Sequence, residues 1–138
     1  MSTEKNDYML LFRGTDWDKG LSSEALQKVV ADWAAWFEGL TRDGRATGGH
    51  PLENTGKIVS GKKGRILSDG PFAESKETIG GYFYLQVSGM EEAIEIARQC
   101  PGLDYGIQVE VRPVAPMCTA RARALEEKAS KELMGAGV

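Results

Sequence analysis

The chain has 138 residues, with 17 Lys and Arg against 20 Asp and Glu, a formal charge of -3, 41% apolar and 27% charged residues. This balance fits one globular domain. It excludes a disordered chain, which would be poorer in large apolar side chains, and a membrane span, because no apolar run approaches the roughly 20 residues a bilayer needs. Mild acidity speaks against nucleic acid, whose phosphates require a basic face. Residues 1–7 are polar and do not read as a signal peptide. Cys100 and Cys118 are too few for a disulfide scaffold, so a cytoplasmic protein is expected. Neither cysteine sits in a CxxC or beside a histidine, and no metal site is expected.

The first predicted element is a short buried strand, Tyr8 to Arg13, stopped by Gly14. Ser22 then caps a helix of about five turns, with Glu24 favourably placed at its positive end. Leu26, Val29, Val30, Trp33, Phe37 and Leu40 form its apolar face, and Asp43-Gly44 ends it. Trp33 and Trp36 read as helix packing rather than as a ligand box.

A glycine-rich passage follows, from Gly44 to Gly64, containing Gly48-Gly49-His50-Pro51. Lys57-Ile58-Val59 and Arg65-Ile66-Leu67, joined by a Gly-Lys-Lys-Gly turn, predict a hairpin. Asp69-Gly70-Pro71-Phe72 is turn chemistry, and Ala73 to Thr78 reads as a loop or single turn. Tyr82 to Val87 predicts a strand. Ser88 to Glu91 has the spacing of a capping box for a helix that buries Ala93, Ile94, Ala97 and Cys100 and stops at Pro101-Gly102. Ile107 to Arg112 alternates apolar and polar, as a half-buried strand does. Residues 119–134 predict a helix with a thin apolar stripe, Ala122, Leu125, Ala129 and Leu133, suited to packing on the domain or on a partner.

Reduced, this order is β-α-β-β-α-β with an extra hairpin, the α+β arrangement of ferredoxin-like folds. Helices then cover one sheet face. Tyr82, Tyr84, Gln86, Gln108, Glu110 and Arg112 fall on the other, and pairing of two such faces in a homodimer would enclose a cavity. The expected organisation is an arm at 1–6, a domain at 7–114 and a helical extension at 115–138.

The nonapeptide Asp69-Gly70-Pro71-Phe72-Ala73-Glu74-Ser75-Lys76-Glu77, followed by Gly80-Gly81-Tyr82, resembles the DGPF signature of YCII-related proteins. Val109-Glu110-Val111-Arg112-Pro113-Val114 is similar to that family's ending, and the likeness covers residues 7–114. The resemblance implies a dimeric α+β barrel of ferredoxin-like protomers. It also implies links to extracytoplasmic-function sigma factors and a wider group containing a dehydrochlorinase suspected to use a His-Asp pair. This chain departs from that pattern: its only histidine is His50, and the first long helix has none.

Candidate catalytic residues are therefore His50, Asp69, Glu74 and Lys76. His50 would serve as a general base near neutral pH, oriented by Asp69 or Glu74, with a solvated loop histidine as the alternative. The nonapeptide would either meet a polar ligand or form a rigid turn with a buried Phe72 and a local ion pair. Candidate ligand-binding residues are Arg13, Tyr82, Tyr84, Glu110 and Arg112. Guanidinium beside tyrosines suits a carboxylate or other anion, while Arg112 and Glu110 pairing across a dimer interface is the competing reading. No cofactor is expected, since the glycines form neither a dinucleotide nor a Walker loop. The expected function is binding or conversion of a small polar or anionic molecule at the sheet faces of a dimer. The alternative is a non-catalytic regulatory protein with a protein partner.

Overall fold

A computed structural model describes residues 5–14, 16–70 and 78–136. The elements run β1 (Asn6–Arg13), α1 (Ser23–Arg42), β2 (Ala46–Pro51), β3 (Lys57–Ser60), β4 (Ile66–Asp69), β5 (Ile79–Val87), α2 (Met90–Ala97), β6 (Gln108–Pro113) and α3 (Thr119–Ala136). Short 3-10 turns occupy Lys62–Gly64 and Pro101–Tyr105. The fold is α+β, with a four-stranded antiparallel sheet in the order β2-β5-β1-β6 and a separate two-stranded β3-β4 hairpin.

β1 is central because its inward side chains, Tyr8, Leu10 and Phe12, are buried, and its two edges both find partners. Tyr8 stands opposite Leu85 and Leu10 opposite Phe83 on one side, with Leu10 opposite Val111 and Phe12 opposite Val109 on the other. These pairs alternate with outward residues because strand side chains change face at every position. The first strand extends to Asn6, so the expected arm at 1–6 gives up its last residue to the sheet. Residues 1–4 lie outside the described structure.

Both α1 and α2 pack on the inward face. Ser22 caps α1, its Oγ accepting from the Ala25 amide at 3.2 Å, and Asp43 and a left-handed Gly44 close it. The helix presents Trp33, Trp36 and Phe37 to the sheet. Phe12 meets Trp33 edge to face at 5.0 Å, and Phe83 meets Phe37 at 4.6 Å and Trp36 at 4.9 Å. α2 adds Ala93, Ile96, Ala97 and, just beyond its end, Cys100. Ile96 takes the fully buried place expected of Ile94, which is only half-buried. The capping box also shifts by one residue: Glu92, not Glu91, accepts from the Ser88 amide at 2.9 Å and from its hydroxyl at 3.0 Å. Gly89 takes the cap position in an extended conformation, which moves the helix start one residue along.

The sheet's second strand is not the hairpin. It is Ala46–Pro51, within the glycine-rich passage. Two glycines and a proline hide its strand character from composition. The ladder to β5 supplies what propensity lacks, with Gly49 opposite Phe83 and His50 opposite Tyr82. Pro51 is tolerated because β2 is an edge strand.

The β3-β4 hairpin is the expected one. Its side chains are exposed throughout, and it makes no substantial contact with the four-stranded sheet. α3 is likewise exposed, including Leu125, Leu133 and Met134. No helix among the described residues is long and apolar enough to cross a membrane.

Candidate functional site

The outward sheet face holds a polar ladder whose rows follow from register. His50, Tyr82, Leu11 and Glu110 are successive cross-strand neighbours, and Gly48, Tyr84, Met9 and Arg112 form the next row. Side chains directly opposite in an antiparallel pair are close enough to interact. His50 Nδ1 lies 2.8 Å from the Tyr82 hydroxyl. The Tyr84 hydroxyl donates to Asp7 Oδ2 at 2.8 Å, and this bond holds the phenol's pKa above its usual value. Arg13 donates to Glu110, and Arg112 Nε lies 3.4 Å from the other oxygen of the same carboxylate. Arg13 Nε is buried without a partner among the described residues.

This arrangement sorts the expected residues. Tyr82, Tyr84, Glu110, Arg112 and Arg13 do share one face, and His50 joins them. The Arg112–Glu110 pair forms within the chain. Because Glu110 serves two guanidinium groups, only part of their positive charge is left for an anion. Asp69 is not beside His50. It ends β4 and is bonded to Lys57 on β3, both exposed, because hairpin register sets Lys57 opposite Asp69. Among the described residues the partner of His50 is a phenol. Glu74, Lys76 and Phe72 lie outside the described residues.

A cavity of about 510 Å³ opens where α1 crosses the end of the sheet. Phe12, Trp17, Trp33, Phe37, Phe83 and Ile107 give it an apolar, mostly aromatic wall. Trp17 stacks on Trp33 at 6.0 Å with 26° between the rings. Val30 and Ala34, both exposed, stand at its helical side. Along the strand ends the lining passes through Gly80 and Gly81 to His50 and Tyr82. Glycine is required at one of these junctions: a Cβ on Gly49 would fall 2.8 Å from Phe83 Cδ1 and 3.1 Å from Phe37 Cε1. A Cβ on Gly102 would similarly fall 2.8 Å from a Trp33 ring carbon.

The volume is that of a small-molecule site, and such sites are largely apolar with a few placed polar groups. His50 and Tyr82 belong to the lining at the strand ends, while register turns their imidazole and phenol onto the outward face. Sequence reading missed the cavity. The i, i+4 spacing of Trp33 and Phe37 reads as core, and only tertiary placement shows that the two rings do not fill the space between helix and strand ends. Trp17 carried no sequence signal at all.

Among the described residues no group of three or more His, Cys, Asp or Glu side chains is placed to hold a metal ion. Cys100 is buried, and loss of hydration pushes its thiol up to about 11. Cys118 is exposed just before α3, and the amides of Arg121 and Ala120 lower its thiol's pKa.

Comparison with known proteins bears on the whole of this domain. The YCII-related domain family matches residues 8–118. The chain belongs to that family. The match takes in β1 from Tyr8 onward, β2 to β6 whole, both packed helices and every residue of the cavity wall. An uncharacterized protein of Rhizobium meliloti (strain 1021) is 37% identical over 51 residues, which is 36% of this chain and 41% of that relative. The match therefore spans less than half the length of the relative.

Proposed function

We propose that this YCII-related domain binds a compact, largely apolar small molecule carrying one hydrogen-bonding group. The apolar body would lie against Trp33, Phe37 and Phe12, with the polar group toward the strand ends where His50 and Tyr82 join the lining. The carrying observation is the aromatic cavity whose lining ends at the hydrogen-bonded His50–Tyr82 pair. This reading changes the ligand expected from sequence. An anion on the open face would have to compete with Glu110 for both arginines, whereas the cavity wall offers mainly dispersion and apolar burial. Imidazole donates or accepts according to tautomer and phenol by turning its O–H, so a ligand group that reaches round the strand ends to this pair could exchange a hydrogen bond or a proton with it. No cofactor is needed for such a step.

The strand order and the β-α-β-β-α-β core support a ferredoxin-like protomer. Half-buried Met9 and Leu11 among the tyrosines of the outward face support pairing of two such faces in a homodimer. A second reading, docking of a regulatory protein partner, draws on α3, which leaves Leu125, Leu133 and Met134 exposed.

Thermal shift and tryptophan fluorescence with a panel of phenols, cyclic ketones, small lactones and carboxylates test the cavity. A ligand that binds only the folded protein raises the melting temperature. Ala34→Trp, at an exposed helical position on the cavity's edge, is expected to abolish that rise while leaving the unliganded melting temperature nearly unchanged. His50→Ala is expected to weaken it for compounds bearing a hydroxyl or carbonyl. A ligand shift that persists undiminished in Ala34→Trp overturns the reading, as does a panel that never perturbs the fluorescence.

A further inference from the structure

The β3-β4 hairpin is poorly explained as a free element. Two-stranded hairpins are marginally stable alone in water, and among the described residues no sheet or helix packs on this one. Yet it is rich in aliphatic side chains: Val59 is 64% exposed and Leu67 65%. These two are direct cross-strand partners, so they form one apolar spot on one face. The other face partly folds over its own glycines, with Ile66 against Gly61 and Ile58 against Gly70.

Charge surrounds the spot. Lys57, Lys62, Lys63 and Arg65 against Asp69 make residues 57–69 a basic segment in a chain whose total charge is -3. The remainder of the chain is correspondingly more acidic than that total. Exposed carboxylates on it include Glu24, Glu91 and Asp104.

We infer that the β3-β4 hairpin is an arm that docks on the acidic surface of a second copy of this chain. Val59 and Leu67 supply its apolar centre, and Lys62, Lys63 and Arg65 its electrostatic rim. The complementary surface is carried by every other copy, so the partner is always present at the arm's own concentration. An apolar centre with charged groups around it is the usual anatomy of a specific interface, and complementary local charge raises the rate of encounter. A cationic tip at Lys62 and Lys63 ahead of the aliphatic residues suits a protein surface better than insertion into lipid, where an apolar tip would lead. The inference does not rest on the cavity being occupied, and it is separate from pairing of the outward sheet faces.

The test is analytical ultracentrifugation of the full chain across micromolar concentrations at low and high salt, together with crosslinking. Val59→Ser with Leu67→Ser, and separately Lys62→Glu with Lys63→Glu and Arg65→Glu, are expected to weaken self-association at least tenfold. Circular dichroism should show both variants folded, since the hairpin stands outside the core. Added salt should weaken the wild type but not the triple-charge variant. A benzophenone side chain at position 59, in a mixture of unlabelled and nitrogen-15-labelled protein, should give crosslinks between copies. Leu11→Lys separates the two surfaces: it would disrupt pairing of the outward faces and leave the position-59 crosslink in place. Crosslinks confined to one chain, hairpin variants that associate like the wild type, or a wild type that stays monomeric would each overturn the inference. So would hairpin-dependent binding to anionic vesicles or duplex DNA in the absence of crosslinks between copies.

Discussion

Gly49 and Phe83 stand opposite each other across the β2-β5 ladder, so close that a Cβ on residue 49 would lie 2.8 Å from the Phe83 ring. The missing side chain lets Phe37 reach Phe83 at 4.6 Å, and all three residues line the cavity. Gly49→Ala is expected to push the two rings apart at a cost of about 1–3 kcal/mol, the usual penalty for overpacking a core. Urea denaturation measures that cost. A variant as stable as the wild type would mean that the rings move aside freely.

Glu110 holds Arg13 and Arg112 at once, with Glu110 26% and Arg13 34% exposed. Removing its charge leaves a half-buried guanidinium beside an amide. Glu110→Gln is expected to cost roughly 1–2 kcal/mol, the scale of losing a charged hydrogen bond at a partly buried site. Adding Arg13→Met should restore most of that loss, since an apolar pair no longer has a charge to desolvate. A double variant less stable than Glu110→Gln alone would refute this account.

The two cysteines should differ sharply in reactivity. Cys118 is exposed with a lowered pKa, and Cys100 is buried with its thiol pushed up to about 11. A thiol reagent at pH 8 is expected to modify Cys118 promptly and Cys100 only on unfolding. The raised value also carries a pH dependence of stability. An unfolded thiol ionises near 9.0, while folded Cys100 keeps its proton to about 11. In that window only the unfolded chain releases the proton, so stability from this group is full below 9.0 and falls as pH rises toward 11. Cys100→Ser should remove the window from the melting-temperature profile. Labelling of both thiols at equal rates in the native protein would contradict the burial of Cys100.

The parts legible in the sequence were those with strong local patterns. The run Tyr8 to Phe12 is apolar enough to mark a central strand, and the alternation from Ile107 to Arg112 placed Val109 and Val111 inward. Ser22 and Gly44 bracketed α1 because capping is decided within a few residues. β2 stayed hidden because Gly48, Gly49 and Pro51 oppose strand formation locally, and only the β5 ladder overrides them. The outward grouping of Tyr82, Tyr84, Glu110 and Arg112 followed from parity alone. The His50–Tyr82 bond needed the β2 register, and the cavity needed the angle at which α1 crosses the strand ends. Neither is written in spacing along the chain.

The sheet order sets a condition on synthesis. β1 leaves the ribosome first among the strands, yet its two neighbours are β5 and β6. Neither side of it can close until Ile79 has emerged, and the far side must wait for Pro113. Through that interval Leu10 and Phe12 have only local chain and α1 for shelter. Pairing across such separations is slow because loop closure precedes any gain from contacts. A nascent chain halted before β5 should therefore expose its central strand to chaperones, and release from them should coincide with the arrival of the last quarter of the domain.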